Sequence, residues 1–191
     1  MKKFLVVVGA LMVTAGLVYA APAKDDLSIK AGINMGGNLH SVMEAPEYGI
    51  KLTSDSSVKD MGFFVGADYS LVKNPAYTLG VGAEFLFERE DFSTLPVYAF
   101  GTYKVTKDIS VMAKIGYSFS NIKGFEDFDG VEMKNGLTYG FGVEGYVMPD
   151  VKMFANYDMY NMGLEASIYD VKVTSDMTYS TLSLGVALNL L

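Results

Sequence analysis

Residues 78–88 read "TLGVGAEFLFE". Alternate residues place Leu79, Val81, Ala83, Phe85 and Phe87 on one side and Thr78, Gly80, Gly82, Glu84, Leu86 and Glu88 on the other. A period of two is that of an extended strand, whose successive side chains point to opposite faces of a sheet. In a soluble sandwich the apolar face is the core. In a transmembrane barrel it meets lipid, and the face with the carboxylate and glycines lines the lumen. The choice between them depends on how the stretch is repeated.

It recurs along the chain. Alternating segments lie near Leu27–Met35, Met61–Leu71, Leu95–Val105, Ile109–Phe119, 137–147 ("LTYGFGVEGYV"), 151–159 ("VKMFANYDM") and 181–191 ("TLSLGVALNLL"), giving eight strands with the quoted one as the third. After the second, fourth and sixth come short links, "VKNPA", "TKD" and "MPD", rich in turn-forming Pro, Asn and Asp. After the first, third, fifth and seventh come mostly longer ones, about residues 36–60, 88–94, 120–136 and 161–176. Short turns at one end and long loops at the other are the habit of outer-membrane barrels, and an even strand number returns both termini to the short-turn end. The apolar-face aromatics fall in two bands. Tyr69, Tyr77 and Tyr103 lie near the short turns, and Phe63, Phe85, Phe87, Tyr117, Phe119, Tyr139 and Phe141 lie toward the long loops, as interfacial girdles would. The predicted fold is all-β, an eight-stranded antiparallel up-and-down transmembrane β-barrel.

The opposite face carries Lys30, Asp68, Glu84, Lys104, Lys114, Glu144, Lys152 and Asp158, among Gly32, Gly66, Gly80, Gly82, Gly116, Gly140 and Gly142. An eight-stranded barrel has room inside for little besides side chains. Buried charges persist when paired, so these eight residues are expected to form an interior charge network that fills the lumen. In the first seven strands the lipid-facing residues are odd-numbered, whereas Leu182, Leu184, Val186, Leu188 and Leu190 are even. With Tyr179 on the odd set, this parity change predicts a bulge near Tyr179–Leu182.

The N-terminus, "MKKFLVVVGALMVTAGLVYAAPA", has Lys2 and Lys3, an apolar run from Phe4 to Val18, and small residues ending at Ala20, with a second possible site at Ala23. This predicts a cleaved secretory signal over residues 1–20 and a barrel domain over 21–191. Export without any cysteine favours a bacterial envelope over a disulfide scaffold. The net charge of −7 becomes more negative once Lys2 and Lys3 are removed, which excludes nucleic acid as a natural partner.

Catalytic and metal signals are thin. His40, the sole histidine, has Ser41 and Glu44 nearby, the residue types of a hydrolase but without evidence of geometry. "EDFDG" at 126–130 holds part of a calcium-loop pattern without its leading acid or distal glutamate. No catalytic residue, metal ligand or cofactor is assigned.

Signal, strands, connection rhythm and charged interior together resemble the small outer-membrane barrels of the OmpA transmembrane-domain and OmpX type, most closely in the hairpin "PVYAFGTYKVTKDISVMAKIGYSF" at 96–119. Members of that family usually end in an aromatic residue read by the barrel-assembly machinery, whereas this chain ends Asn189-Leu190-Leu191. The resemblance implies a non-enzymatic monomer in a bacterial outer membrane, in contact with lipid and lipopolysaccharide. Its role there is envelope integrity, or adhesion and host contact through long acidic outer loops. A narrow porin-like channel and a membrane-embedded lipid-modifying enzyme are the alternatives.

Overall fold

The computed structural model describes residues 26–89, 92–122, 131–168 and 171–190. The expected signal at 1–20 and the acidic stretch at 126–130 lie outside the described residues. Eight strands follow one another: β1 (Leu27–Ala45), β2 (Ile50–Lys73), β3 (Tyr77–Arg89), β4 (Phe92–Lys104), β5 (Ile109–Ile122), β6 (Val131–Met148), β7 (Val151–Ile168) and β8 (Val171–Leu190). Each pairs antiparallel with the next, and β8 pairs with β1, so the sheet closes on itself without an unpaired edge around the barrel. Closure satisfies the backbone where no water can, the condition for crossing a bilayer with strands. The tight turns at the short end are set by side chains. Asn74 Oδ1 accepts from the Ala76 amide at 3.0 Å, and Thr106 Oγ1 accepts from the Asp108 and Ile109 amides at 3.3 and 3.1 Å.

Outside, the expected apolar residues are exposed, among them Phe63, Val65, Phe85, Phe87, Ile115, Tyr117, Phe119, Phe141, Leu184 and Leu188. So large an apolar band requires a lipid environment. From Met61 to Tyr69, or from Leu182 to Leu190, the band covers eight residue steps, about 26 Å along a strand and roughly 20 Å along the membrane normal at a tilt of ~40°.

The long connections are not the loops the sequence predicted. Nearly all of 36–60 is strand: β1 runs to Ala45 and β2 starts at Ile50, joined by a single 3-10 turn at Pro46–Tyr48 that ends on Gly49 at φ 62°. The stretch 161–176 likewise continues the β7–β8 ladder out to Ile168↔Val171. By contrast, β2–β3 pairing stops at Phe64↔Leu86 and β5–β6 pairing at Ser118↔Gly136. Strands β7, β8, β1 and β2, flanked by β6, thus rise beyond the rim as a curved wall, roughly 35 Å long along β2.

The two faces exchange character where the wall begins. Outward residues of β2 change from Tyr69, Ala67, Val65, Phe63 and Met61 to Lys59, Ser57, Asp55, Thr53 and Lys51. Those of β8 change from Leu188, Val186, Leu184 and Leu182 to Ser180, Thr178, Asp176 and Thr174. Inward residues change the opposite way, with Leu39, Val58 and Leu164 packing against a buried cluster that contains Phe64, Leu86, Tyr160, Met162, Met177 and Tyr179. The wall is therefore polar outside and apolar inside, the arrangement of a sheet in water.

The bulge is in β1, not β8. The β7–β8 ladder runs from Val151↔Leu188 to Ile168↔Val171 without a shift, and Tyr179 points inward, buried to 4% exposure. The register slips instead between Met35 and Asn38 of β1, where Gly36 takes φ +61°, a left-handed conformation that a glycine adopts without strain. The Thr181 hydroxyl donates to the Gly36 carbonyl at 2.6 Å and fastens the slip. Even numbering in β8 reflects only the length of the chain between β7 and β8.

The exchange of faces locates the membrane boundary and gives a direct contrast. Val65→Arg, at the middle of the apolar band, should cost ~2–4 kcal/mol in vesicle unfolding titrations. Ser57→Arg, on the same face of the same strand four residues past Met61, should cost less than ~0.5 kcal/mol.

Candidate functional site

Inward residues of β1, β4 and β5 converge on Glu84 of β3. Its Oε1 lies 2.7 Å from Lys30 Nζ and its Oε2 3.0 Å from Lys114 Nζ. Lys30 also reaches Asp68 Oδ2 at 2.9 Å, and Lys114 reaches Asp158 Oδ1 at 3.0 Å. The Tyr98 hydroxyl lies 2.8 Å from Asp68 Oδ1 and 3.0 Å from Glu84 Oε1, and its ring stands 4.9 Å from each ammonium. The Ser183 hydroxyl joins Asp158 Oδ2 at 3.0 Å to Asn34 Oδ1 at 2.8 Å. This cluster spans the lumen.

The glycines of the quoted stretch make that possible. A Cβ on Gly82 would overlap the Asp68 carboxylate and the Tyr98 ring, and one on Gly80 would fall 2.5 Å from the Phe100 ring. Across β6 and β7, Gly140 leaves the space that the Asp158 carboxyl occupies. Missing side chains on one strand admit long charged ones from its neighbours.

Five of the eight residues singled out from the sequence, Lys30, Asp68, Glu84, Lys114 and Asp158, come together here. Glu144 and Lys152 form a separate pair at 3.1 Å toward the short-turn end, with Lys152 5.3 Å from the Tyr146 ring. Lys104 is a correction. It lies on the inward register but exposed at the rim of a polar cavity of about 200 Å³, where water solvates it, and among the described residues it joins no ion pair. Sequence parity places a residue on the inner face and says nothing of its depth. Parity also gave Tyr98 and Ser183 no special mark, although Tyr98 ties Asp68 to Glu84 and Ser183 ties Asp158 to Asn34.

Above the ions lies a second barrier. Phe64, Leu86, Tyr160, Met162, Met177 and Tyr179 fill the lumen toward the wall, with the Tyr160 and Tyr179 rings stacked at 6.1 Å. The lumen is thus blocked twice, by ion pairs and by packed apolar side chains.

The hydrolase-type residues are not assembled. His40 stands on the outer face of the wall with Nδ1 2.6 Å from Asp55 Oδ1, while Ser41 points to the other face and contacts the Ser54 carbonyl. Among the described residues no three of His, Asp and Glu are grouped to hold a metal ion. On the wall's outer face Glu165 is bridged by Lys134 and, at 2.6 Å, by Lys172; hydrogen bonds from these two hold its carboxyl below the usual range.

No protein-family model matches the sequence, and no curated protein matches it. Solved structures do. The outer membrane protein OprG from Pseudomonas aeruginosa is similar with a TM-score of 0.51 at 12% identity, over 88% of this chain and 98% of that one. The outer membrane protease OmpT from Escherichia coli is similar with a TM-score of 0.50 at 10% identity, over 88% and 98%. At these identities the likeness establishes the fold, an outer-membrane-type β-barrel.

The cluster should behave as one unit. Glu84→Ala takes one of two carboxylate partners from each of two buried ammonium groups, leaving Lys30 with Asp68 and Lys114 with Asp158, and should lower stability by up to ~3–5 kcal/mol. Glu144→Ala, in the more accessible pair, should cost about 1 kcal/mol or less. Unfolding in lipid vesicles checks both.

Proposed function

We propose that this chain is exported to a bacterial outer membrane, where it serves as a sealed monomeric anchor that holds a β-wall outside the cell for contact with external surfaces. One observation carries the proposal: β7, β8, β1 and β2 continue as hydrogen-bonded sheet well past the apolar band, with a polar outer face. Two layers of side chains across the lumen support anchoring over solute passage. On this proposal the chain enters through a signal over residues 1–20, with help from the barrel-assembly machinery. Lipid and lipopolysaccharide are its immediate neighbours, and the ligand belongs on the wall. Each of the four outward connections carries more acids than bases, so that ligand is expected to be neutral or basic where it meets them.

The absence of cysteine makes orientation testable with single replacements. Glu47→Cys should be labelled on intact cells by a membrane-impermeant maleimide. Asn74→Cys and Lys107→Cys should be labelled only after lysis; the reverse pattern would invert the topology. Replacing residues 38–57 by a tight turn should abolish adhesion of expressing cells to host-cell monolayers and leave envelope permeability unchanged. If permeability alone changed, the role would be envelope integrity. In planar bilayers the wild type should show at most rare, small conductance events. A steady, solute-permeable current would establish a porin instead.

A further inference from the structure

The central cluster is unequal in charge. Two ammonium groups, Lys30 and Lys114, face three carboxyls, Asp68, Glu84 and Asp158, and all except Asp68 are exposed by no more than 3%. The remaining inward cations do not correct the difference. Lys152 is taken by Glu144, and Lys73, at the short-turn end, by Asp26. Lys104 lies four residues down β4 from Phe100, the residue level with Lys114, which puts its backbone ~13 Å lower along the strand and its ammonium in water. An isolated carboxylate in such a place either finds a positive charge or gives up its own.

The hydrogen count points to the same deficit. The Ser183 hydroxyl, 2% exposed, lies 2.8 Å from Asn34 Oδ1 and 3.0 Å from Asp158 Oδ2. It has one hydrogen for two contacts of hydrogen-bond length. With its oxygen turned toward Ser183 the Asn34 amide has no hydrogen to give, and the contact left over then takes its hydrogen from the carboxyl.

We propose that the barrel centre is a one-proton binding site, the proton residing on Asp158 Oδ2 and donated to Ser183, whose own hydrogen goes to Asn34 Oδ1. The cluster is then neutral. Every neighbouring strand contributes to the setting. Lys114 comes from β5, Glu84 from β3 and Tyr98 from β4. Lys30 and Asn34 come from β1 and Asp68 from β2, while β7 adds Asn156 and Tyr160, the inward residues on either side of Asp158, and β8 adds Ser183, with Tyr179 four residues farther along and stacked on Tyr160. The side of Asp158 toward β6 meets Gly140 and no titratable group. Asp68 is likewise reached by one ammonium and by a hydroxyl, that of Tyr98, shared with a second acceptor, but it is 14% exposed against 1% for Asp158, and the more deeply buried carboxyl is the one to hold the proton.

The test is infrared spectroscopy of the wild type folded in lipid vesicles at neutral pH. A C=O stretch of a protonated carboxylic acid is expected, shifted in D2O and lost in Asp158→Asn, which keeps the neutral charge and shape and should retain the wild-type Tm. Ser183→Ala should move the band to higher frequency, since the acid loses its acceptor. If Asp158→Asn fails to fold, the wild-type and Ser183→Ala spectra still decide. A wild type without the band, or a band that survives in folded Asp158→Asn or is unmoved in Ser183→Ala, overturns the proposal. So does a wild-type Tm that falls when sodium and potassium are replaced by a bulky organic cation, because the missing charge would then be an alkali ion.

Discussion

Glu84 receives an ammonium on each carboxylate oxygen, and the barrel is arranged around that double contact. A carboxylate and two ammonium groups in a lumen with little water would be costly apart. Together they draw Lys30 from β1 and Lys114 from β5 across the lumen to a residue on β3, tying strands that share no ladder. Gly82 on β3 and Gly140 on β6 then follow, since a β-carbon at either position would occupy the volume that the Asp68 or Asp158 carboxyl needs. Tyr98 completes the arrangement by lying between both lysines while bringing its hydroxyl to two carboxylates.

Alternation revealed most of the barrel because lipid on one side and a filled lumen on the other impose opposite demands on neighbouring residues. Leu27–Met35 and Met61–Leu71 carried that contrast strongly. The wall resembles loop in the sequence because its outer face bears Ser, Thr, Asp and Lys and its inner face mixes Leu39, Met43 and Leu52 with Ser41 and Ser54, which blurs the period. A stretch such as "KLTSDSS" looks like a loop by composition, and only pairing with β1 from Lys51↔Glu44 to Ser57↔Asn38 makes it strand. The register slip was placed in the wrong strand for a related reason. Parity counts residues along one chain, but a slip belongs to a pair, and the Gly36-Gly37 dipeptide of β1 was the local clue. Within the site, inward parity found the charged residues but not their depth, hence the separate positions of Lys104 and of the Glu144–Lys152 pair.

The exchange of faces at the rim joins the two halves of the molecule into one device. Below it the strands are held by lipid outside and ions inside; above it, by water outside and an apolar layer inside. Sliding the sheet along its axis in either direction would put Lys59 and Asp55 into lipid, or Met61 and Phe63 into water. Depth in the membrane is therefore fixed by the strands themselves, without an added anchor.

The seam between the first and last strands has a consequence for biogenesis. Its ladder joins Leu27 to Leu190 and climbs to Glu44 opposite Thr174, so the longest sequence separations in the chain lie in the same ladder that builds the middle of the wall. Contacts so distant along the sequence form late. Until β8 docks on β1, the β1–β2 and β7–β8 parts of the wall are two narrow ribbons with an open seam between them, and isolated hairpins are marginally stable. Completion of the barrel and erection of the external structure become a single event. With the wall outward, as proposed, a surface probe that recognises the finished wall would then report on correctly assembled molecules alone.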